Sequence, residues 1–191
     1  MSEDAALVHR LYTDIEWALS QGLPQTDLVG MLERLAREAA PGSVHYVYAK
    51  RQLAELIVQH QPFRAARLAQ DVLSVQQDDR AYSVVGLAHM MLGNYRLSEA
   101  AYRKALAMVP HCPWYAHNLG HLLDAALERS QDALRYLLLA VNALPHEPEI
   151  RSSYAHALLR AGRPEEARRQ LMIAVDDDAA KAARILERWQ A

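Results

Sequence analysis

The sequence predicts an all-α protein made of antiparallel helix pairs, and three observations predict it. Large, small and breaking residues recur in one order about every 34 residues. The clearest copy runs from Asp79 to Cys112, where Tyr82, Val85, Gly86, Gly93, Tyr95, Tyr102, Ala105 and Pro110 follow in turn. Hydrophobic residues make up 51% of the 191 positions, which is enough for a core, and much of that share is alanine, which favours helix and lets helices approach closely. Many of the 7 glycines and 8 prolines fall between apolar stretches rather than inside them, which marks the ends of helices.

The elements follow in order. Two helices, about Asp4–Ser20 and Gln25–Ala39, are broken at Gly22-Leu23-Pro24. They lack the repeating order and read as an N-terminal cap. Ala40 to Ser43 separates this hairpin from the array. A faint unit covers Tyr46 to Asp78, with Leu53-Ala54 as the large-small step of its first helix and Ala65, Ala69, Val72 and Leu73 along its second. Pro62 lies in a turn one residue short.

In the clearest unit Asp78 and Asp79 are N-cap residues, and Gly93-Asn94 stops the first helix. Ser98, Ala101, Tyr102, Ala105 and Leu106 form the inner stripe of the second. Gly86 and Ala105 are small where two helices must meet. In the next unit, Pro113 to Glu147, Leu119-Gly120 repeats that step and Ala133, Leu137, Ala140 and Pro145 repeat the second helix. Its turn, Leu127 to Gln131, is one residue longer and has no glycine. Pro148 opens the last unit as a first helical residue. Tyr154-Ala155, the turn Gly162-Arg163-Pro164, the helix-start acids Glu165 and Glu166, and Ala167, Leu171 and Ala174 complete it.

Ala179 to Gln190 is a closing helix with Ile185, Leu186 and Trp189 inward and Arg184, Glu187 and Arg188 outward. The expectation is eleven helices and no strand. Residues 1–43 form a cap, 44–178 an array of about four repeats (46–78, 79–112, 113–147, 148–178) and 179–191 a closing helix. Such repeats cannot each bury their own apolar face, so stacking supplies the core and the ends need caps.

From Tyr46 to Asp178 this ordered pattern resembles the tetratricopeptide repeat (TPR) family. The resemblance implies a right-handed superhelix of helix pairs whose first helices line a concave groove, a groove that holds an extended or helical segment of a partner protein. Carried over residue by residue, the groove positions would be Arg51 and Glu55, then Ser83, Leu87 and Met90, then His117, His121 and Asp124, and finally Ser152, His156 and Leu159. Some TPR cochaperones grip a C-terminal carboxylate with lysine and asparagine there; Ser83, Leu87, His117 and His121 stand in those places, which argues against the same ligand. The run Asp79-Arg80, Gly86-Leu87, Gly93-Asn94-Tyr95 is also similar to the central repeat of the bacterial type III secretion chaperones that hold translocator proteins, although this chain has one unit more.

Composition narrows the partners. With 21 basic and 23 acidic side chains the net charge is −2, too balanced for a field that attracts nucleic acid or a membrane surface. Residues 1–40 carry 3 basic and 7 acidic side chains and the rest 18 and 16. The acidic cap is therefore expected to fold toward Lys50 and Arg51 and limit access to the groove. Cys112 is the only cysteine, which suits a reducing compartment. With no secretory signal and no membrane-length apolar run, the expectation is a cytoplasmic protein.

Several constellations could carry chemistry. His117 and His121, four apart with Asp124 one turn on, have spacing that can bind zinc, with His156 as a further ligand. Asn118 stands where a metalloprotease motif needs glutamate, so these are read as polar groove residues. Asp176-Asp177-Asp178 lacks the spacing of a calcium loop and reads as a helix end followed by a cap. Cys112 beside His111 has no further catalytic partner. Trp17, Trp114 and Trp189 are expected to pack between neighbouring repeats, with Trp114 partly exposed, and most tyrosines to pack with the hydroxyl outward. Arg160, Arg163, Arg168 and Arg169 cluster near a turn where Glu165 and Glu166 offset them.

No phosphate loop or nucleophile motif is present, so neither enzyme activity, nor a cofactor, nor a metal is expected. The function expected is an adaptor that binds a protein segment. The alternatives are a secretion-type chaperone and a protein that self-assembles through exposed repeat ends.

Overall fold

The computed structural model describes residues 3–190. Eleven α-helices follow one another, and among the described residues there is no strand. They are α1 (Glu3–Ser20), α2 (Gln25–Glu38), α3 (Val44–Ile57), α4 (Pro62–Leu73), α5 (Asp79–Met91), α6 (Tyr95–Met108), α7 (Pro113–His121), α8 (Ser130–Ala143), α9 (Pro148–Arg160), α10 (Pro164–Ala174) and α11 (Ala179–Gln190). A π-helical turn, Leu122–Ala126, extends α7.

The starts are written locally. Pro62, Pro113, Pro148 and Pro164 open α4, α7, α9 and α10, where a missing N–H loses nothing. Ser43, Asp78 and Asp178 cap α3, α5 and α11 by accepting the N–H of Tyr46, Ala81 and Lys181. The stops are equally local. Gly93 and Gly162 take φ of 75° and 78°, and the next N–H reaches back five residues, from Asn94 to His89 and from Arg163 to Leu158. Glycine is favoured there because a side chain crowds the left-handed conformation.

The turn after α7 has the same design with one residue added. The N–H of Leu127 bonds to the carbonyl of Leu122 at 3.1 Å, and that of Arg129 reaches six residues back to Leu123 at 2.7 Å. The longer turn expected at Leu127 to Gln131 is absorbed as a π turn, the usual home of a single inserted residue. Glu128, with φ of 55°, stands in the glycine position. A non-glycine residue there costs roughly 1–2 kcal/mol, partly offset by the greater freedom glycine gives the unfolded chain. Glu128→Gly should therefore stabilise the protein by about 0.5–1 kcal/mol, whereas Glu128→Ala should not; a thermal melt in which both behave alike would refute this. The exposed Glu128–Arg160 pair at 3.8 Å is too screened to change the sign.

The chain divides into two compact units, Met1–Ala101 and Tyr102–Ala191. In the first, α1 packs on α2, α2 on α3, α3 on α4 and α4 on α5, while α3 also touches α5. Leu11, Ile15, Leu32, Leu35, Leu53 and Val72 lie in its core. Ser98 is buried and donates to the carbonyl of Gly86 at 2.7 Å, fastening the start of α6 to α5.

In the second unit α7 packs on α8, α8 on α9, α9 on α10 and α10 on α11, and α7 also meets α9. Leu119, Leu122, Leu137, Ile150 and Leu158 are fully buried. Ile185, Leu186 and Trp189 of α11 pack against Ala155, Leu171 and Val175, while Arg184, Glu187 and Arg188 are exposed. Asp176 and Asp177 form the turn before α11 with φ of 54° and 62°.

Three expectations are corrected. Trp17 is 62% exposed rather than packed between repeats, while Trp114 is partly exposed as expected, at 48%. Tyr102 does not send its hydroxyl outward. It is fully buried, and among the described residues no group accepts its O–H; burial pushes its phenol pKa up. The acidic cap does not neutralise Lys50 and Arg51, because Lys50 pairs with Asp71 of α4 and Arg51 with Asp78 at the start of α5. The cap's own acids Glu16 and Glu33 bond Tyr48 and Arg64 instead.

Candidate functional site

The residues expected to line a groove come from first helices, and in each unit the structure ties those helices together through several of them. In the first unit Arg51 of α3 donates from Nη1 to Asp78 Oδ2 at 2.9 Å. Asp78 is buried and already caps α5 through Oδ1. Glu55, one turn further along α3, takes a two-pronged bond from Arg80 of α5, with Nε to Oε1 at 2.6 Å. Planar two-point pairs of this kind are the stronger ion pairs. Arg51 and Glu55 therefore hold α3 to α5. Ser83, Leu87 and Met90 of α5 remain half-buried, and Leu87 leans on the core.

In the second unit the polar residues are more deeply committed. His117 is 5% exposed, and its Nε2 lies 3.0 Å from Ser153 Oγ on α9. Asp124, in the π turn, is 2% exposed. Ser130 at the start of α8 donates to its Oδ1 at 2.6 Å, and His156 of α9 donates from Nδ1 to Oδ2 at 2.5 Å. Arg160 donates to the Asp124 main-chain carbonyl at 2.9 Å. The His156 ring in turn meets Trp189 of α11 edge-on, with centroids 5.0 Å apart. Asp124 is thus a buried joint among the π turn, α8 and α9, and through His156 it supports α11.

These placements change the reading of the His117, His121, Asp124 face. His121 is exposed while the residues on either side of it in that pattern are buried. The π turn begins at Leu122, and from there each turn holds more residues than an α-helix, so α-helical spacing no longer tells which face a residue occupies. The two imidazoles lie 6.1 Å apart, centroid to centroid, but His156 is held by Asp124. Among the described residues no group of three or more histidine, cysteine, aspartate or glutamate residues could hold a metal ion. Ser152 and Leu159 are half-buried on α9. Ser130 and Ser153 carried no signal in the sequence, because their partners come from other helices.

The charges of this site have definite directions. Burial alone would raise the Asp124 carboxyl, but the hydrogen bonds from His156 and Ser130 outweigh it and hold its pKa below the usual range. Burial lowers the His117 pKa, and the neighbouring His121 lowers it further, against a smaller opposing pull from Glu149. The folded chain therefore resists protonating His117. As pH falls below roughly 6.5 the unfolded chain takes up a proton that the folded state refuses, so stability drops with acid until the lowered folded pKa is passed. His117→Gln should flatten this part of the stability curve. Urea midpoints that fall equally for wild type and variant between about pH 7.5 and 5.5 would count against it.

Near the last turn the basic cluster is partly offset, since Arg163 makes a two-point bond to Glu166. Arg168 and Arg169 are exposed and Cys112 is half-buried at the start of α7.

This succession of helix pairs, fastened first helix to first helix, is an all-helical, TPR-like repeat fold. It is the fold of MamA. A MamA structure from Desulfovibrio magneticus RS-1, spanning its residue 41 to the end, superposes with a TM-score of 0.74 at 16% identity, covering 94% of this chain and 98% of that one. A MamA crystal structure gives 0.70 at 16% identity over 88% and 96% of the two chains, and MamA of AMB-1 gives 0.67 at 22% identity over 90% and 98%. At these identities the likeness is one of fold. No protein-family model matches the chain, and no curated protein does.

Proposed function

We propose that this chain is a non-catalytic adaptor that binds an extended or helical segment of a partner protein along its first helices. The observation that supports this reading is the division of labour on those helices. Arg51, His117, Asp124 and His156 are used to join helices. His121 stays exposed, and Ser83, Leu87, Met90, Ser152 and Leu159 stay half-exposed. These six mix apolar anchors with hydrogen-bonding groups, which suits a peptide whose side chains alternate in character.

No helix among the described residues is long and apolar enough to cross a membrane. The single cysteine fits a reducing compartment, so we place the adaptor in the cytoplasm with proteins as its partners.

The test is quantitative capture from extract of the native organism. His121→Glu combined with Leu159→Glu, and separately Leu87→Glu combined with Met90→Glu, should each reduce recovery of a specific partner by about tenfold or more with an unchanged circular dichroism spectrum. Full recovery by both folded variants would refute the reading. A captured partner that is insoluble unless co-expressed with this chain would narrow the role to that of a secretion-type chaperone. Mass rising with concentration in light scattering would instead point to self-assembly.

A further inference from the structure

Two guanidiniums converge on one phenol oxygen in the second unit. Arg103 of α6 donates from Nη1 to the Tyr136 hydroxyl at 2.9 Å, and Arg135 donates to the same oxygen from Nη2 at 2.7 Å. Their guanidinium carbons lie 5.9 and 4.5 Å from the centroid of the Tyr136 ring. The oxygen thus accepts twice, while its own O–H donates to no group among the described residues.

Only half of this arrangement fastens the fold. The bond from Arg103 joins α6 to α8. Arg135 and Tyr136 are neighbours on α8, so their bond joins no two elements. What it does is hold a second positive charge beside the first. Like charges that close repel, and attraction to a single ring leaves that repulsion in place. An anion shared between them removes it.

Arg135 is within reach of a ligand. It is exposed, and among the described residues no carboxylate pairs with it and its Nε and Nη1 bond to no group. It forms one wall of an open cavity of about 490 Å³, which Leu138, Leu139 and Asn142 of α8 and His111 from the turn before α7 also line. A group bonded at Arg135 therefore has space beside it for whatever carries that group.

We propose that Arg135, Tyr136 and Arg103 form a binding site for a phosphate monoester. Arg135 donates from the nitrogens that the fold leaves unused, Tyr136 donates its O–H, and Arg103 adds its charge from α6. A phosphate monoester has three strong acceptor oxygens set tetrahedrally and carries about −1.5 to −2 at pH 7, which suits donors that arrive from two helices. A planar carboxylate matches a single guanidinium edge and leaves the hydroxyl unused. The site lies on second helices and includes none of the groove positions, so it is independent of the adaptor reading.

The full chain with ¹³C-labelled arginine and tyrosine provides the test, at about pH 7 and fixed ionic strength. The Arg135 and Tyr136 ¹³Cζ signals are assigned by their loss in Arg135→Gln and Tyr136→Phe. The probes are inorganic phosphate and N-acetyl-phosphoserine amide, with acetate as the planar control. The expected result is a saturable shift of both signals, with a Kd on the order of 1 mM for at least one phosphate probe. The signals of the exposed Arg168 and Arg169 should stay in place. Tighter binding of the phosphoserine probe assigns a phosphorylated side chain as the ligand, and binding of inorganic phosphate at least as tight assigns free phosphate.

Arg135→Gln, read at Tyr136, and Tyr136→Phe, read at Arg135, should each weaken binding by about tenfold with unchanged helical circular dichroism. Arg135 is exposed, so its variant decides the matter should Tyr136→Phe disturb the fold. The absence of a saturable shift with either phosphate probe overturns the proposal. So does acetate that binds as tightly, a shift shared equally by Arg168 and Arg169, or a Kd that Arg135→Gln leaves unchanged.

Discussion

Replacing Asp124 with alanine is expected to destabilise the protein by about 3 kcal/mol, the scale for leaving two hydrogen-bond donors without their shared acceptor. The loss has two parts. The buried Ser130 hydroxyl and the part-buried His156 Nδ1–H both lose their acceptor, and each such orphan costs roughly 1 kcal/mol or more. The support that His156 gives to Trp189 is then loosened as well. The bond from Arg160 should survive, because it goes to the main-chain carbonyl.

Asp124→Asn keeps the shape and one acceptor, so it should cost less, about 1–1.5 kcal/mol. Acid separates the two ideas further. The folded-state carboxyl pKa is lowered, so its contribution is complete above the unfolded value of about 3.9 and is lost as pH falls through the lower folded value. The asparagine variant should lack that acid limb. Urea unfolding followed by circular dichroism measures both effects, and an alanine variant within about 0.5 kcal/mol of wild type would show that the joint does not hold the unit together.

Gly120→Ala is expected to cost roughly 1–3 kcal/mol or more. A Cβ built at Gly120 would sit 2.6 Å from Leu137 Cγ, 2.9 Å from its Cδ2 and 3.3 Å from its main-chain nitrogen. The leucine could turn away, but the main chain of α8 cannot without parting from α7. Shortening the leucine tests this. Leu137→Ala alone should cost about 2–5 kcal/mol, and combined with Gly120→Ala the total should fall short of the sum by about 1 kcal/mol. Strict additivity would mean that the two helices already separate freely at this point.

Much of the fold was legible because its signals are local. Pro113, Pro148, Gly93 and Gly162, and Asp78 in its capping role, act within one turn of themselves, so that part of their meaning does not depend on what lies across the molecule. Even the extra residue at Leu127 to Gln131 was readable as a count. Its consequence was not, because a π turn resets which face each later side chain takes, and that placed Asp124 inside while His121 stayed outside.

The candidate site was less legible for a second reason. Apart from Ser130, six positions from Asp124, its partners lie 25 to 36 positions away, from Glu55 with Arg80 to His117 with Ser153, about one repeat along the chain. Family spacing says which positions share a side, but it does not say which of them are taken by a neighbouring repeat. A tryptophan taught the same lesson in reverse. Trp17 is a large apolar ring on a helix of the right pattern, yet most of its surface stays exposed.

The ties between first helices also set how this protein can diverge. Arg51, Glu55, His117, Asp124 and His156 each answer to a residue about one repeat away, so a change at any of them calls for a matching change elsewhere before it can be tolerated. Ser83, Leu87, Met90, His121, Ser152 and Leu159 carry no such obligation. If the proposed adaptor role holds, descendants of this sequence can alter what they recognise through those six while inheriting the architecture unchanged, and duplicated copies should differ first at those sites.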